Sequence, residues 1–228
     1  NTEEACNTMC DIMMTRDRKM RLMVKKHFSP EDYFSVRNHM IGTGMIGGKA
    51  CGMLLSRAIV RNLAWDINEV LEPHDSFFIG SDVYYTYIVD NGFWDIRVRQ
   101  REETEYFSLA EEFARRLKNG VFSEEMKNHF LHILEYYGQD PFIVRSSSIL
   151  EDGFGNAFAG KYESVFCANR GTLEERLLEF ENAIKTVYAS SMSISALDYR
   201  KRRGLDKRDE QMALLIQRVS GSMYEDFL

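Results

Sequence analysis

Two stretches of the chain carry apolar residues at the three-to-four spacing of an amphipathic helix. In the first, Met126, Phe130, Ile133, Leu134 and Tyr137 share one face; Ser123 stands where a cap belongs and Gly138 where the helix must stop. In the second, Leu173, Leu177, Phe180, Ile184 and Val187 recur behind a Thr172–Glu175 capping box. Ser108 and Glu111 have the same box spacing and predict a further helix that stops near Asn119-Gly120. Short apolar runs predict strands at Ser76–Gly80, Pro141–Arg145, Glu163–Ala168 and Met212–Val219, the last bounded by Ser220-Gly221. Val83–Val89 fits helix or strand equally. Residues 1–40 read as helical and polar, interrupted at Pro30, and a glycine cluster then runs into the apolar stretch Met53–Leu63. Helices and strands alternate, which favours an α/β or mixed α+β layer architecture.

Composition narrows the function classes. A chain of 228 residues has room for one large domain or two small ones. Its formal charge of -6 argues against nonspecific binding to nucleic acid or an anionic membrane. No apolar stretch approaches a membrane span, and the acidic, polar start lacks the pattern of a signal peptide, so a cytoplasmic protein is expected. The first residue is not methionine, which predicts a piece of a longer protein. Cys6 and Cys10 lie on one helical face, but no second pair with metal-ligand spacing follows, so Cys6, Cys10, Cys51 and Cys167 are expected as free thiols. The basic residues Arg16, Arg18, Lys19, Arg21, Lys25 and Lys26 are flanked by acids and read as a solvated helix face.

Three loops have the composition of anion sites. Gly42-Thr43-Gly44-Met45-Ile46-Gly47-Gly48-Lys49 could bring backbone amides, a helix N-terminus and a lysine onto one phosphate. It fails the Walker A pattern twice, at Thr43 and Ala50. A dinucleotide fingerprint is present literally, with Asp66 downstream, yet residues 34–39 are too polar for a central parallel strand. A plain flexible turn is the third reading. The second loop, Arg145-Ser146-Ser147-Ser148, sets a guanidinium beside three hydroxyls, a suitable phosphate clamp. The third, Gly153–Gly160, is a glycine-rich turn with two aromatics, shaped like a flap. Together the loops point to a polyphosphate ligand.

Several motifs in register go further. Ile143-Val144-Arg145-Ser146-Ser147-Ser148-Ile149-Leu150-Glu151-Asp152, followed by Ala157-Phe158-Ala159-Gly160-Lys161-Tyr162-Glu163-Ser164, closely resembles the N-terminal ATP-binding domain of phosphoenolpyruvate synthase and pyruvate phosphate dikinase. That family writes V-R-S-S-A-x-x-E-D and then F-A-G-Q-x-E-T. Gly47-Gly48-Lys49 matches its G-G-K, and Phe78-Ile79-Gly80-Ser81 its strand and turn before a helix. Ala196–Gly204 and Met212–Val219 also match, so the resemblance covers roughly residues 41–219.

The resemblance implies an α+β, ATP-grasp-like fold of two subdomains, the second cut short. Residues 1–40 would then be a mostly helical extension and residues 41–228 part of the ATP-binding domain. It also implies a phosphotransferase that holds ATP and Mg²⁺ and passes phosphoryl groups to a histidine on another domain. By the same resemblance, Lys49 meets the ATP phosphates and Arg145 the transferring phosphoryl groups; Gly160 and Ser164 belong to the glycine-rich flap and Gln217 lies near the nucleotide. The basic run Arg200–Arg203 is expected to be structural or surface-facing.

Some positions depart from the family pattern. Ser148 replaces alanine, Lys161 replaces glutamine, and the acidic metal ligand and Q-T-R segment have no counterpart, so no metal ligand is expected within the chain. The phosphohistidine and pyruvate-binding domains are implied as partners from the rest of a longer protein, and a second copy of the chain is a further candidate. None of His27, His39, His74, His129 and His132 fits a phosphohistidine motif, and the chain alone is expected to be inactive. Two alternatives stay open: a related dikinase with another acceptor, and a non-catalytic nucleotide-sensing or scaffold module.

Overall fold

A computed structural model describes residues 2–63, 71, 74–151, 158 and 160–220. Ten α-helices and five strands are assigned among them, a mixed α+β architecture. The polar N-terminal segment forms α1 (Thr2–Met9), a π-helical turn over Cys10–Met14, α2 (Arg18–His27) and α3 (Pro30–Asn38). Asp17 caps α2, its carboxylate accepting from the Met20 amide at 2.8 Å. Pro30 opens α3, where its missing donor costs nothing, and Asp32 reaches back to the Ser29 amide at 2.8 Å. After β1 (Met40–Ile41) and the glycine loop comes α4 (Gly48–Leu63), then β2 (Ser76–Ile79). Val83–Val89 is helical, inside α5 (Ser81–Asp90); α6 (Trp94–Gln100) follows.

The next helix, α7 (Ala110–Asn119), ends where expected but does not start with the Ser108–Glu111 box. Its N-cap is Leu109, itself in helical geometry and without a side-chain cap. The preceding turns already direct the Leu109 and Ala110 amides onto the Glu105 and Phe107 carbonyls, so the chain enters the helix from a helical turn. Ser123 does cap α8 (Glu124–Tyr137), and Thr172 and Glu175 form their box at the head of α9 (Leu173–Ser190). Phe130, Ile133, Leu134 and Tyr137 of α8 are buried, as are Phe180, Ile184 and Val187 of α9, whereas Leu173 is exposed. Strand β3 (Phe142–Ser148) continues through all three serines; β4 (Ser164–Cys167), α10 (Ile194–Arg202) and β5 (Met212–Arg218) complete the chain order.

The strands make one sheet in the order β1-β2-β5-β3-β4, with only β1 and β2 parallel. Strand alternation divides it into two cores. Ile41, Ile79, Phe142, Val144, Leu214 and Ile216 face a core rich in aromatic rings under α5, α7, α8 and α9. Met40, Phe78 and Leu215 point the other way, into a core of methionine, cysteine and aliphatic residues. That second core is filled by α4 together with residues of the N-terminal segment, including Cys10, Met14, Val24 and Tyr33. The four cysteines are free, and three of them are buried. Among the described residues, no helix is long and apolar enough to cross a membrane.

Candidate functional site

Register places three of the expected residues on one sheet face. Arg145 lies directly opposite Leu215 on β5 and opposite Ser164 on β4, and Gln217 lies opposite Ile143. With a period of two, Arg145, Ser164 and Gln217 share the face that carries α4. The Arg145 guanidinium donates to the Gln217 side-chain oxygen at 3.0 Å. Gln217 in turn donates to Ser76 Oγ at 3.4 Å and contacts the Met53 sulfur of α4 at 3.2 Å. Toward β4 this face is open among the described residues: Ser164 is exposed, Phe166 is 70% exposed, and Ile143 is half-buried beside them.

Lys49 stands at the first turn of α4, against the end of β3. Its Nζ donates to Ser146 Oγ at 3.1 Å and to Glu151 Oε1 at 3.3 Å. Glu151 is buried; it also accepts from the Ser148 amide at 2.8 Å and the Ser146 hydroxyl at 3.0 Å. Burial pushes the Glu151 carboxyl above the ordinary carboxylate range, opposed by Lys49 and by those hydrogen bonds. Gly160 is exposed, with a φ of +68°, in the turn before β4.

The loops behave differently from their composition. In the first, the Thr43 and Gly44 amides both donate to the Asp82 carboxylate at 2.8 Å. The Met45 and Ile46 amides go to Ser81 Oγ and the Met13 carbonyl. These four amides therefore already have acceptors within the chain, and only the Gly47–Lys49 end is left for an outside anion. Gly47 has a φ of +83°, and a Cβ on it would sit 1.4 Å from the Ser147 carbonyl oxygen. Glycine is needed there for close approach of the loop to β3.

The three serines of the second loop are fully buried and committed as well. Ser146 serves Lys49 and Glu151, Ser147 Oγ accepts from the Ala50 amide at 3.0 Å, and Ser148 donates to Glu210. The clamp expected there reduces to Arg145. Of the flap, residues 152–157 and 159 lie outside the described residues, as do Asp66 and Gly221. The tyrosine after it, Tyr162, donates to the same buried Glu210 and stacks with Phe158.

Lys161 donates to Ser195 Oγ at 3.0 Å. Arg200 is buried against Glu210 and the Ser191 carbonyl, whereas Arg202 is an exposed partner of Asp198. His129 and His132 are both exposed on α8. Sequence reasoning missed Glu151 and Glu210 as partners, and Asp82 as the occupant of the glycine loop. Glu151 alone had a signal, its place in the quoted motif.

The mixed α+β fold around one five-stranded sheet is consistent with a nucleotide-binding class of domain. Residues 43–224 match the family model of the pyruvate phosphate dikinase AMP/ATP-binding domain, and the chain belongs to that family. No curated protein matches it.

Proposed function

We propose that this chain is the ATP-holding part of a phosphotransferase, in which Lys49 and Arg145 offset the charge of the polyphosphate. The family match over residues 43–224 carries this reading. The open sheet face supports it, since Arg145 and Gln217 lie there beside the apolar Ile143 and Phe166, a surface suited to a base and its phosphates. Lys49 offers its remaining donor, Gln217 accepts one hydrogen bond from the Arg145 guanidinium, the Ser164 hydroxyl lies on the same face, and Gly160 belongs to the turn ahead of that strand. Phosphoryl transfer then goes to a histidine on another domain, with a pyruvate-binding domain as the further partner. The two-subdomain ATP-grasp-like arrangement and the division at residues 40 and 41 belong to the same proposal.

Mg²⁺ bound with the nucleotide supplies further charge neutralisation. Among the described residues no group of three His, Cys, Asp or Glu side chains could hold a metal ion. The ion would arrive on the nucleotide phosphates.

Calorimetric titration of the full-length protein with Mg-ATP tests the proposal. Lys49→Ala and Arg145→Ala should each weaken binding at least tenfold, as removal of a charge-assisted hydrogen bond does. Unchanged affinity in both variants overturns the site. Tight ATP binding with no phosphohistidine formed would favour a nucleotide sensor instead.

A further inference from the structure

Arginines in this chain nearly all have partners. Arg21, Arg61, Arg97, Arg99, Arg101, Arg115, Arg116, Arg200, Arg202 and Arg218 form ion pairs. The others, Arg145 and Arg176 among them, have hydrogen bonds or further contacts within the chain. Among the described residues only Arg16, Arg18 and Arg208 have none. Those three line a single cleft of about 490 Å³.

The arginines reach it from separate parts of the chain: Arg16 and Arg18 at the head of α2, Arg208 in the turn before β5. Buried Leu150 and Leu205 contribute apolar lining, and Gly47 and Gly48 bring the start of the sixteen-residue α4 to its wall. The acid among the lining residues, Asp17, already accepts from the Met20 amide. Three guanidinium groups around one concavity repel each other, and the single carboxylate of Asp17 leaves the lining with a net positive charge. A multiply charged oxyanion would, through the planar forks that make arginine a phosphate ligand. The volume exceeds that of inorganic phosphate and suits a small metabolite with an apolar body.

We propose that this cleft binds a phosphate ester of small-metabolite size, through arginines other than the cations proposed for ATP. None of Lys49, Arg145, Ser164 and Gln217 lines it, and it meets the head of α4 only at Gly47 and Gly48. Two of its arginines precede residue 43, where the family match begins, so the N-terminal segment builds a site that the matched domain alone does not supply.

The test uses ribose 5-phosphate and inorganic pyrophosphate as probes, titrated into the full-length protein without ATP. Both should bind, and the triple variant Arg16→Ala, Arg18→Ala, Arg208→Ala should weaken them at least tenfold while Mg-ATP affinity stays unchanged. The double variant Lys49→Ala, Arg145→Ala should leave probe binding intact, and three lysines in place of the arginines should restore only the part that charge alone supplies. All three side chains are exposed, so the folded state should survive; single Arg16→Glu and Arg208→Glu variants give the same reading if it does not. The proposal is overturned if neither probe binds at millimolar concentration, if the triple variant binds them normally, or if binding is lost with Lys49 and Arg145 instead. Loss of the ATP site with the arginine dependence intact would remove the proposed function and leave this cleft standing.

Discussion

The two cations proposed for the nucleotide are held in opposite ways. Lys49 is tied to a buried carboxylate, Glu151, and Arg145 to a neutral amide, Gln217. An ammonium has three donors, and Ser146 and Glu151 take two of them, leaving one for a phosphate. A guanidinium has five, and most of those on Arg145 remain available. Moving Lys49 off its partner would strand a negative charge in the interior, whereas moving Arg145 strands only an amide at a partly exposed position. The lysine is therefore a fixed post. The arginine is the one that can turn toward a ligand.

Substitutions at the two partners should separate these roles, and the largest effect belongs to Glu151. Glu151→Ala leaves the Lys49 ammonium, the Ser146 hydroxyl and the Ser148 amide without their acceptor. It should cost about 3 kcal/mol of stability in urea unfolding, against about 1 kcal/mol for Gln217→Ala. Equal costs would erase the contrast. A tenfold effect, about 1.4 kcal/mol, is expected when the arginine's partner is made to resemble the lysine's. Gln217→Glu ties Arg145 to a charge and should weaken Mg-ATP by that factor, whereas an unchanged titration would show that Arg145 does not need its freedom.

A smaller effect is expected in the pH dependence. The Glu151 carboxyl is raised by burial, so between the ordinary carboxylate value near about 4.3 and the raised one the folded state keeps a proton that the unfolded chain has lost, and above both it is the anion paired with Lys49. Stability from this group is present at lower pH and falls as pH rises through the raised value. Glu151→Gln should flatten that part of the stability profile, and an unchanged slope would assign it to other groups.

The smallest signal is chemical. Burial pushes the Cys51 and Cys167 thiols up to about 12, so at pH 8 they remain protonated in the folded protein. Ellman's reagent should label half-buried Cys6 first and reach Cys51 and Cys167 only as the chain unfolds. Prompt native-state labelling of Cys51 would contradict the packing of α4 against the N-terminal segment.

Much of the scaffold was legible because its causes are local. The caps at Ser123 and Thr172, the stops at Gly120 and Gly138 and the apolar runs of β3 and β5 all lie within a few residues of their effects. Lys49, Arg145 and Gln217 were singled out through motifs, and the family those motifs indicated is the one the chain belongs to. The partners that decide what those residues can do were hidden by distance along the chain. Glu151 lies 102 residues from Lys49, and Glu210 lies 62 from Ser148. Three serines after Arg145 look like an exposed polar loop; as strand residues they are buried because such remote acceptors and donors satisfy them. Ser108 failed for the opposite reason, since a turn before it had already supplied what a cap would have given.

The glycine loop ahead of α4 shows what it means for a binding shape to carry its own occupant. Asp82 sits on the same chain as the amides it fills, so its local concentration there exceeds anything a dissolved phosphate could reach. Occupancy of that loop is then independent of the cell's supply of anions. It works as a clasp between the loop and the head of α5, tying the start of α4, and Lys49 with it, through bonds made within the chain.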